Sequence, residues 1–220
     1  MKFDFSDAAK AKESGNRIEP GIKNATFEGV DFDTITSQKT GDVFKVMSLK
    51  LNIEGHGEFV QNFFEPQSDE RTEMSWGTSA SQLDHFKISV MEILEAISPE
   101  IVEKINSNEL TMSGSFKQIV DFVKAKTANK IGTPVQVKLV PQNNGFVSMP
   151  SYPARITRNG ELGIATRFIG QNLTLTSSEL KKIEAAKEAK PTNMATKVDV
   201  RDTLSGMKDD LNDSDSDLPF

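Results

Sequence analysis

Few side chains in this chain could carry out catalysis. The 220 residues include two histidines, His56 and His85, and no cysteine, which excludes disulfides and thiolate metal sites. His56 falls in a predicted hairpin turn and His85 in a predicted helix, and neither has metal-ligand spacing. No glycine-rich phosphate loop and no Gly-x-Ser-x-Gly elbow occurs. We therefore expect no enzymatic activity and no cofactor; a nuclease with carboxylate-bound metal ions is the remaining catalytic alternative.

Aromatic and basic side chains offer a binding chemistry instead. The candidates are Phe44, Lys50, Phe63, Trp76, Lys126, Lys130, Lys138, Tyr152, Arg155 and Arg158. Aromatic rings can stack on unpaired nucleic-acid bases, and lysine and arginine can contact phosphates. Tyr152, Arg155 and Arg158 form the densest group of these candidates.

Each aromatic candidate also has a structural explanation. Phe44 is equally compatible with burial under a helix or loop, because rings in strands are most often in the core. Trp76, in a polar loop, could close one end of the fold. Phe63 and Phe64 are adjacent on a predicted strand, so strict alternation points one ring inward and the other outward.

Charge is segregated along the chain. The net charge is -6, of which the five aspartates after residue 208 account for five, leaving -1 for residues 1–208. Residues 110–176 contain eight basic and two acidic side chains, a local +6. A surface that binds phosphate should therefore draw mainly on this later half, although a basic run is often only a solvated face.

The elements that would position these residues begin with three strands. We predict strands over 21–35, 43–53 and 58–65, with a bend or bulge at Gly29 and a tight turn at 55–57. In the second strand, one face is apolar: Met47, Leu49, Leu51 and Ile53. The opposite face includes Phe44 and Lys50, which makes it the candidate binding side.

A helical segment and further strands follow. Apolar spacing predicts helices within about 79–127, and strand character returns at 133–141, 146–156 and 163–169. This order predicts a mainly β fold with a helical insertion (α+β), specifically a five-stranded Greek-key OB-fold barrel, which binds single strands on one face. The predicted divisions are a flexible arm (1–19), an OB-like domain (20–175), a capped helix (176–190), a linker (191–208) and a disordered acidic tail (209–220).

The acidic tail ends in a distinctive peptide. Asp217-Leu218-Pro219-Phe220 follows a run of aspartates, and it resembles the tails of bacterial and bacteriophage single-stranded DNA-binding proteins. Those tails end in Asp-(Ile/Leu)-Pro-Phe or Asp-Phe. An apolar anchor beside a carboxylate is typical of a captured peptide, so the partner-binding candidates are Asp213, Asp215, Asp217, Leu218, Pro219 and Phe220.

The resemblance implies a protein that coats single-stranded DNA in replication, recombination and repair. The tail would recruit a polymerase, helicase, primase or recombinase, and it would compete with DNA for the basic groove. No run approaches the roughly 20 apolar residues of a membrane helix, and we expect a cytoplasmic protein, in the host cytoplasm if it is viral. Homo-oligomers are compatible with the sequence.

The body of the chain departs from the common bacterial form of that family. It is longer before the tail and its helical middle is larger, which favours a bacteriophage version with an elaborated OB domain. A phage scaffold or interaction protein with a DNA-mimicking tail is the alternative from another functional class.

Overall fold

The computed structural model describes residues 17–73, 79–143, 145–158, 160 and 172–188. The fold is mixed α+β, built on a mostly antiparallel, open sheet. The strands are β1 (Gly21–Thr36), β2 (Val43–Ile53), β3 (Gly57–Phe64), β4 (Thr72–Glu73), β5 (Ser79–Ala80), β6 (Pro134–Pro141), β7 (Val147–Ser148) and β8 (Ile156–Thr157). The helices are α1 (Gln82–Ile97), α2 (Pro99–Asn106), α3 (Phe116–Thr127) and α4 (Ser177–Glu188), with a 3-10 turn at Ala128–Lys130.

Within the described residues, the main sheet has six strands in the order β3-β2-β1-β6-β7, and β8 also pairs with β6. All of these pairings are antiparallel. β4 and β5 form a separate two-stranded sheet. The three predicted N-terminal strands are thus confirmed, and the turn predicted at 55–57 lies one residue earlier, at 54–56, where it brings Ile53 opposite Gly57.

β1 is long because it pairs with two neighbouring strands. Residues 21–26 pair with β6, whereas residues 25–36 pair with β2. The predicted bulge is confirmed at Glu28, where the register against β2 shifts between Phe27 and Gly29. Gly29 has φ of 145°, a conformation that glycine adopts without the steric cost of a side chain.

The core lies between one face of this sheet and the helices. Met47, Leu49, Leu51 and Ile53 of β2 are fully buried, as the alternation predicts, but Val46 and Ser48 on the opposite face of β2 are buried as well. Phe27 and Val30 of β1, Phe59 of β3, and Val135, Val137 and Leu139 of β6 are buried in the same cluster. We call this the inner face of the sheet, and the opposite side the outer face.

Helices form in the predicted segment, and α1 and α3 begin at side-chain caps, whereas α2 has no side-chain cap and begins at Pro99. The Ser81 hydroxyl accepts from the Asp84 amide, and the Asp84 carboxylate accepts from the Ser81 amide at the start of α1. Ser115 and Gln118 make the equivalent pair at the start of α3. Such reciprocal caps satisfy amides that the first helical turn leaves without partners.

Two strands are predicted after residue 145. One of them differs from the structure, and the other lies outside the described residues. The continuous strand predicted over 146–156 is wrong: β7 and β8 contain two residues each, and a loop with Pro150 and Pro153 separates them. Proline has no amide hydrogen to donate to a sheet, which explains the interruption. The predicted strand 163–169 lies outside the described residues, as do the linker and the acidic tail.

Candidate nucleic-acid interface

Two phenylalanine rings lie together on the outer face of β2 and β3. Phe64 is opposite Val46 in the β2–β3 register, and Phe44 is two residues along β2 from Val46, so all three side chains share one face. The rings of Phe44 and Phe64 are 6.0 Å apart with an interplanar angle of 87°. Both rings are partly exposed, whereas Val46 on the same face is fully buried.

Of the adjacent pair Phe63 and Phe64, the structure directs Phe64 outward. Phe63 lies opposite the fully buried Met47 and packs against the core cluster. The sequence alone leaves this choice open, and the candidate named from it, Phe63, is the inward ring. The register with β2 is the missing information, because it alone assigns each ring to a face.

Lys50 belongs to the same outer face and forms part of a three-residue charge cluster. Its ammonium lies 2.7 Å from Asp31 Oδ2. Lys124, on α3, approaches the other oxygen of the same carboxylate, with Nζ 2.6 Å from Oδ1. The hydrogen bond from Lys124 is the largest cause that holds the pKa of Asp31 below its usual range, followed by the bond from Lys50. Asp31 in turn raises the pKa of Lys50.

Helix α3 reaches this cluster along an edge of β1. Residues 30–36 of β1 pair with β2 but have no register with β6. Phe116 of α3 contacts Phe32 on the inner face, with ring centres 6.2 Å apart, whereas Lys124 contacts Asp31 on the outer face. Contacts on both sides of β1 place α3 at this edge of the strand. Lys117, near the start of α3, lies 5.5 Å from the centre of the Phe32 ring.

The predicted Tyr152, Arg155 and Arg158 cluster is turned toward α1. Tyr152 contacts His85 edge-to-face, with ring centres 5.3 Å apart. The buried Arg155 donates from Nε to Glu92 Oε2 at 2.9 Å, and the other Glu92 oxygen accepts from the backbone amides of Arg155 and Ile156. Arg158 donates to the carbonyls of Ala96 and Ile97, where a helix end carries partial negative charge. These contacts tie residues 152–158, which include β8, to α1.

Lys138 also forms a buried ion pair within the protein. It is 3 % exposed, and its ammonium lies 3.0 Å from Glu179 Oε2 of α4. Glu179 also accepts from the Thr176 amide, while the Thr176 hydroxyl accepts from the Glu179 amide, which confirms the predicted capping box. Lys138 therefore holds α4 against β6.

The two remaining basic candidates lie at the surface. Lys130 pairs with Glu100 at 2.9 Å, and this bond is the largest cause that lowers the pKa of Glu100. The Lys126 ammonium lies 5.5 Å from the centre of the Phe122 ring on the same helix. Within the described residues, the sequence run with a local +6 is thus largely matched by carboxylates and helix carbonyls of the protein itself.

Several sequence candidates lie outside the described residues. They are Trp76, Asp213, Asp215, Asp217, Leu218, Pro219 and Phe220. One exposed ring is absent from the sequence candidates: Phe146, 60 % exposed, follows the turn after β6. Its position beside the predicted Asn-Asn-Gly turn is the available signal, since connecting segments between strands run over the protein surface.

The described part of the chain offers no other recognisable chemistry. No three His, Cys, Asp or Glu side chains there cluster in a way that could hold a metal ion. No helix in the same ranges has the length and apolar character needed to cross a membrane. Comparison with known protein-family models and with curated protein sequences gave no match.

Proposed function

We propose that this chain is a non-enzymatic single-stranded DNA-binding protein of the bacteriophage type, acting in replication, recombination and repair. The observation that carries the proposal is the outward-facing pair Phe44 and Phe64, with rings 6.0 Å apart on neighbouring strands. Partly exposed rings on a sheet offer faces for base stacking, which contributes about 1–3 kcal/mol for each stacked base. Lys50 lies on the same face and supplies a cation for the backbone.

The strand pairing supports an OB-type barrel as the finer form of the fold. A long first strand with a bulge pairs with both β2 and β6, β2 and β3 form a hairpin, and the helices α1 to α3 lie between β3 and β6 in the chain. OB folds combine a bent first strand with a helix at this point of the chain.

The DNA surface in this proposal differs from the sequence-based one. Arg155 and Lys138 are buried in ion pairs with Glu92 and Glu179. A phosphate could contact either basic side chain only if the ion pair that contains it became exposed to solvent. Lys50, Lys124 and Lys117 form ion pairs at the surface, which are weak and readily exchanged. These lysines are therefore better placed to meet phosphates than the predicted arginines.

The acidic segment 209–220 fits the same proposal. Its five aspartates can compete with phosphates for exposed lysines, and Leu218-Pro219-Phe220 offers an apolar anchor with restricted conformations for a partner protein. The partners would be a polymerase, helicase, primase or recombinase.

A fluorescence-anisotropy titration with labelled oligothymidine tests the function. We expect binding that weakens linearly in a plot of log affinity against log salt, with much weaker binding to duplex of equal length. Equal affinity for duplex, or absence of binding, would reject the proposal. The same sample with Mg²⁺ on a gel shows whether the oligonucleotide is cleaved, which would favour the nuclease alternative.

A further inference from the structure

One carboxylate on the outer face is shared by two lysines from different elements. Asp31 of β1 contacts Lys50 of β2 through Oδ2 and Lys124 of α3 through Oδ1, at 2.7 and 2.6 Å. The other surface pairs formed by Lys45, Lys117 and Lys130 each join one lysine to one carboxylate. Asp31, Lys50 and Lys124 together therefore carry one positive charge in excess, whereas each of those pairs is neutral; the carboxylates of Glu58 and Asp33 also act on Lys50 and raise its pKa further.

The cluster is open to solvent. The side chains of Lys50, Lys124 and Asp31 are 39 %, 59 % and 35 % exposed. Ion pairs at this exposure contribute little to stability and exchange readily with ions from solution. A second anion can therefore replace the carboxylate without unfolding the surrounding sheet.

The two ammonium groups are arranged for an anion with several oxygens. Each lies within hydrogen-bond distance of a different oxygen of the same carboxylate, so they converge on one small anionic group. A phosphodiester also presents two unshared oxygens, and it can accept one bond from each ammonium. The cluster lies on the same face of β2 as Phe44, about 20 Å away along the strand at 3.3 Å per residue.

We infer that Lys50 and Lys124 form a subsite for a phosphodiester of the bound single strand, and that Asp31 occupies this subsite when DNA is absent. The inference rests on the proposed function and deepens it. On binding, the phosphate takes the two hydrogen bonds and the Asp31 carboxylate turns to solvent. Asp31 thereby lowers affinity for DNA, and α3 becomes part of the binding surface through Lys124.

Substitution of Asp31 by Asn tests this arrangement, because Asn keeps the shape and removes the competing charge. We expect D31N to bind oligothymidine several-fold more tightly than the wild type at low salt. The slope of log affinity against log salt should become more negative by about 0.7 for each additional phosphate that the variant neutralises. The double variant D31N/K124A should lose most of this increase in affinity, and K124A alone should bind more weakly than the wild type.

Glu100→Gln is the matched control, because it removes one carboxylate that pairs with a single surface lysine, Lys130. If E100Q tightens binding as much as D31N does, the effect is one of net charge and the subsite is rejected. Unchanged affinity of D31N, with a wild-type protein that binds oligothymidine, also rejects the subsite but leaves the proposed function standing. Absence of binding by the wild type rejects both. Circular dichroism of each variant verifies the fold, and K124Q provides a second lysine variant.

Discussion

The Arg155 guanidinium lies between the Glu92 carboxylate and the Phe63 ring. Its Nε is 2.9 Å from Glu92 Oε2, and its central carbon is 5.9 Å from the centre of the ring. Both charged side chains are almost completely buried, at 5 % and 4 % exposure. Since water is excluded from both partners, the pair joins the β7–β8 segment to α1 and to the end of β3.

We predict that Arg155→Ala destabilises the fold far more than it affects DNA contacts. Removal of one partner leaves the Glu92 carboxylate buried without its counter-charge, which costs about 3–5 kcal/mol. Urea unfolding followed by circular dichroism measures the change. Lys117→Ala, which breaks the exposed pair with Asp121, should cost no more than about 1 kcal/mol. If R155A had wild-type stability but failed to bind DNA, Arg155 would have to contact DNA directly.

Substitution of Phe44 or Phe64 should weaken oligothymidine binding. We expect each change to Ala to cost about 1–3 kcal/mol of binding free energy, because a stacking face is lost. Phe44→Leu and Phe64→Leu are the matched controls, because leucine keeps much of the apolar volume but has no ring. Anisotropy titrations at one salt concentration compare the four variants. Wild-type affinity of the two leucine variants would argue against stacking at these positions.

Glu179→Ala should release α4 from β6. The substitution removes both the capping partner of Thr176 and the counter-charge of the buried Lys138. Amide hydrogen exchange should show loss of protection across 177–188 while the β2 amides remain protected. Glu184→Ala, at an exposed position on the same helix, should leave the exchange pattern unchanged. Adding Lys138→Met should recover part of the stability, since no unpaired charge then remains buried.

His85 should make the stability of the fold sensitive to mildly acidic pH. Burial lowers the pKa of His85, and the nearby Arg155 lowers it further. Histidine in an unfolded chain has a pKa of about 6.5. Below that pH the unfolded state binds a proton more readily than the folded state does. The stability from neutral His85 is therefore present above the unfolded pKa and is lost as pH falls toward the folded pKa.

Urea unfolding at a series of pH values between neutral and mildly acidic conditions measures this dependence. His85→Phe keeps a ring against Tyr152 but cannot be protonated, and its stability should fall less than that of the wild type over the same range. Parallel curves for the two proteins would show that His85 does not contribute.

Deletion of 209–220 should leave oligothymidine affinity unchanged or raise it, because five negative charges that compete with DNA are removed. Binding of partner replication proteins should be lost. A variant with all five aspartates changed to asparagine, but with Leu218-Pro219-Phe220 intact, separates the role of charge from that of the apolar tip. Loss of DNA binding on deletion would contradict the proposed role of the segment.

Local pattern predicts much of the framework. Alternation identifies the buried face of β2, the Ser81 and Thr176 helix starts follow capping chemistry, and Gly29 indicates the bulge. These features depend on residues close in the chain, so the sequence contains the needed information.

The partners of charged residues depend on contacts between distant segments. Glu92 and Arg155 are 63 positions apart, and Asp31 and Lys124 are 93 apart. The charges within residues 110–176 therefore predict a basic surface. In the folded protein, however, acidic residues from the first half of the chain, such as Glu92 and Asp31, contact these basic side chains. The face of the sheet on which Phe64 lies likewise depends on the register of β3 with β2.

The single extra residue at Glu28 is accommodated by the bulge without moving the apolar side chains of β1 away from the core. Before it, the odd-numbered Ala25 and Phe27 face the core; after it, the even-numbered Val30 and Phe32 do. The bulge takes up Glu28 as one extra residue, so a chain without Glu28 would still place Phe27 opposite Leu51, Gly29 opposite Lys50 and Asp31 on the outer face. Both a substitution and a deletion at position 28 should thus preserve the pairing of β1 with β2 and the carboxylate shared by the lysines of β2 and α3, and the deletion should remove only the local bulge.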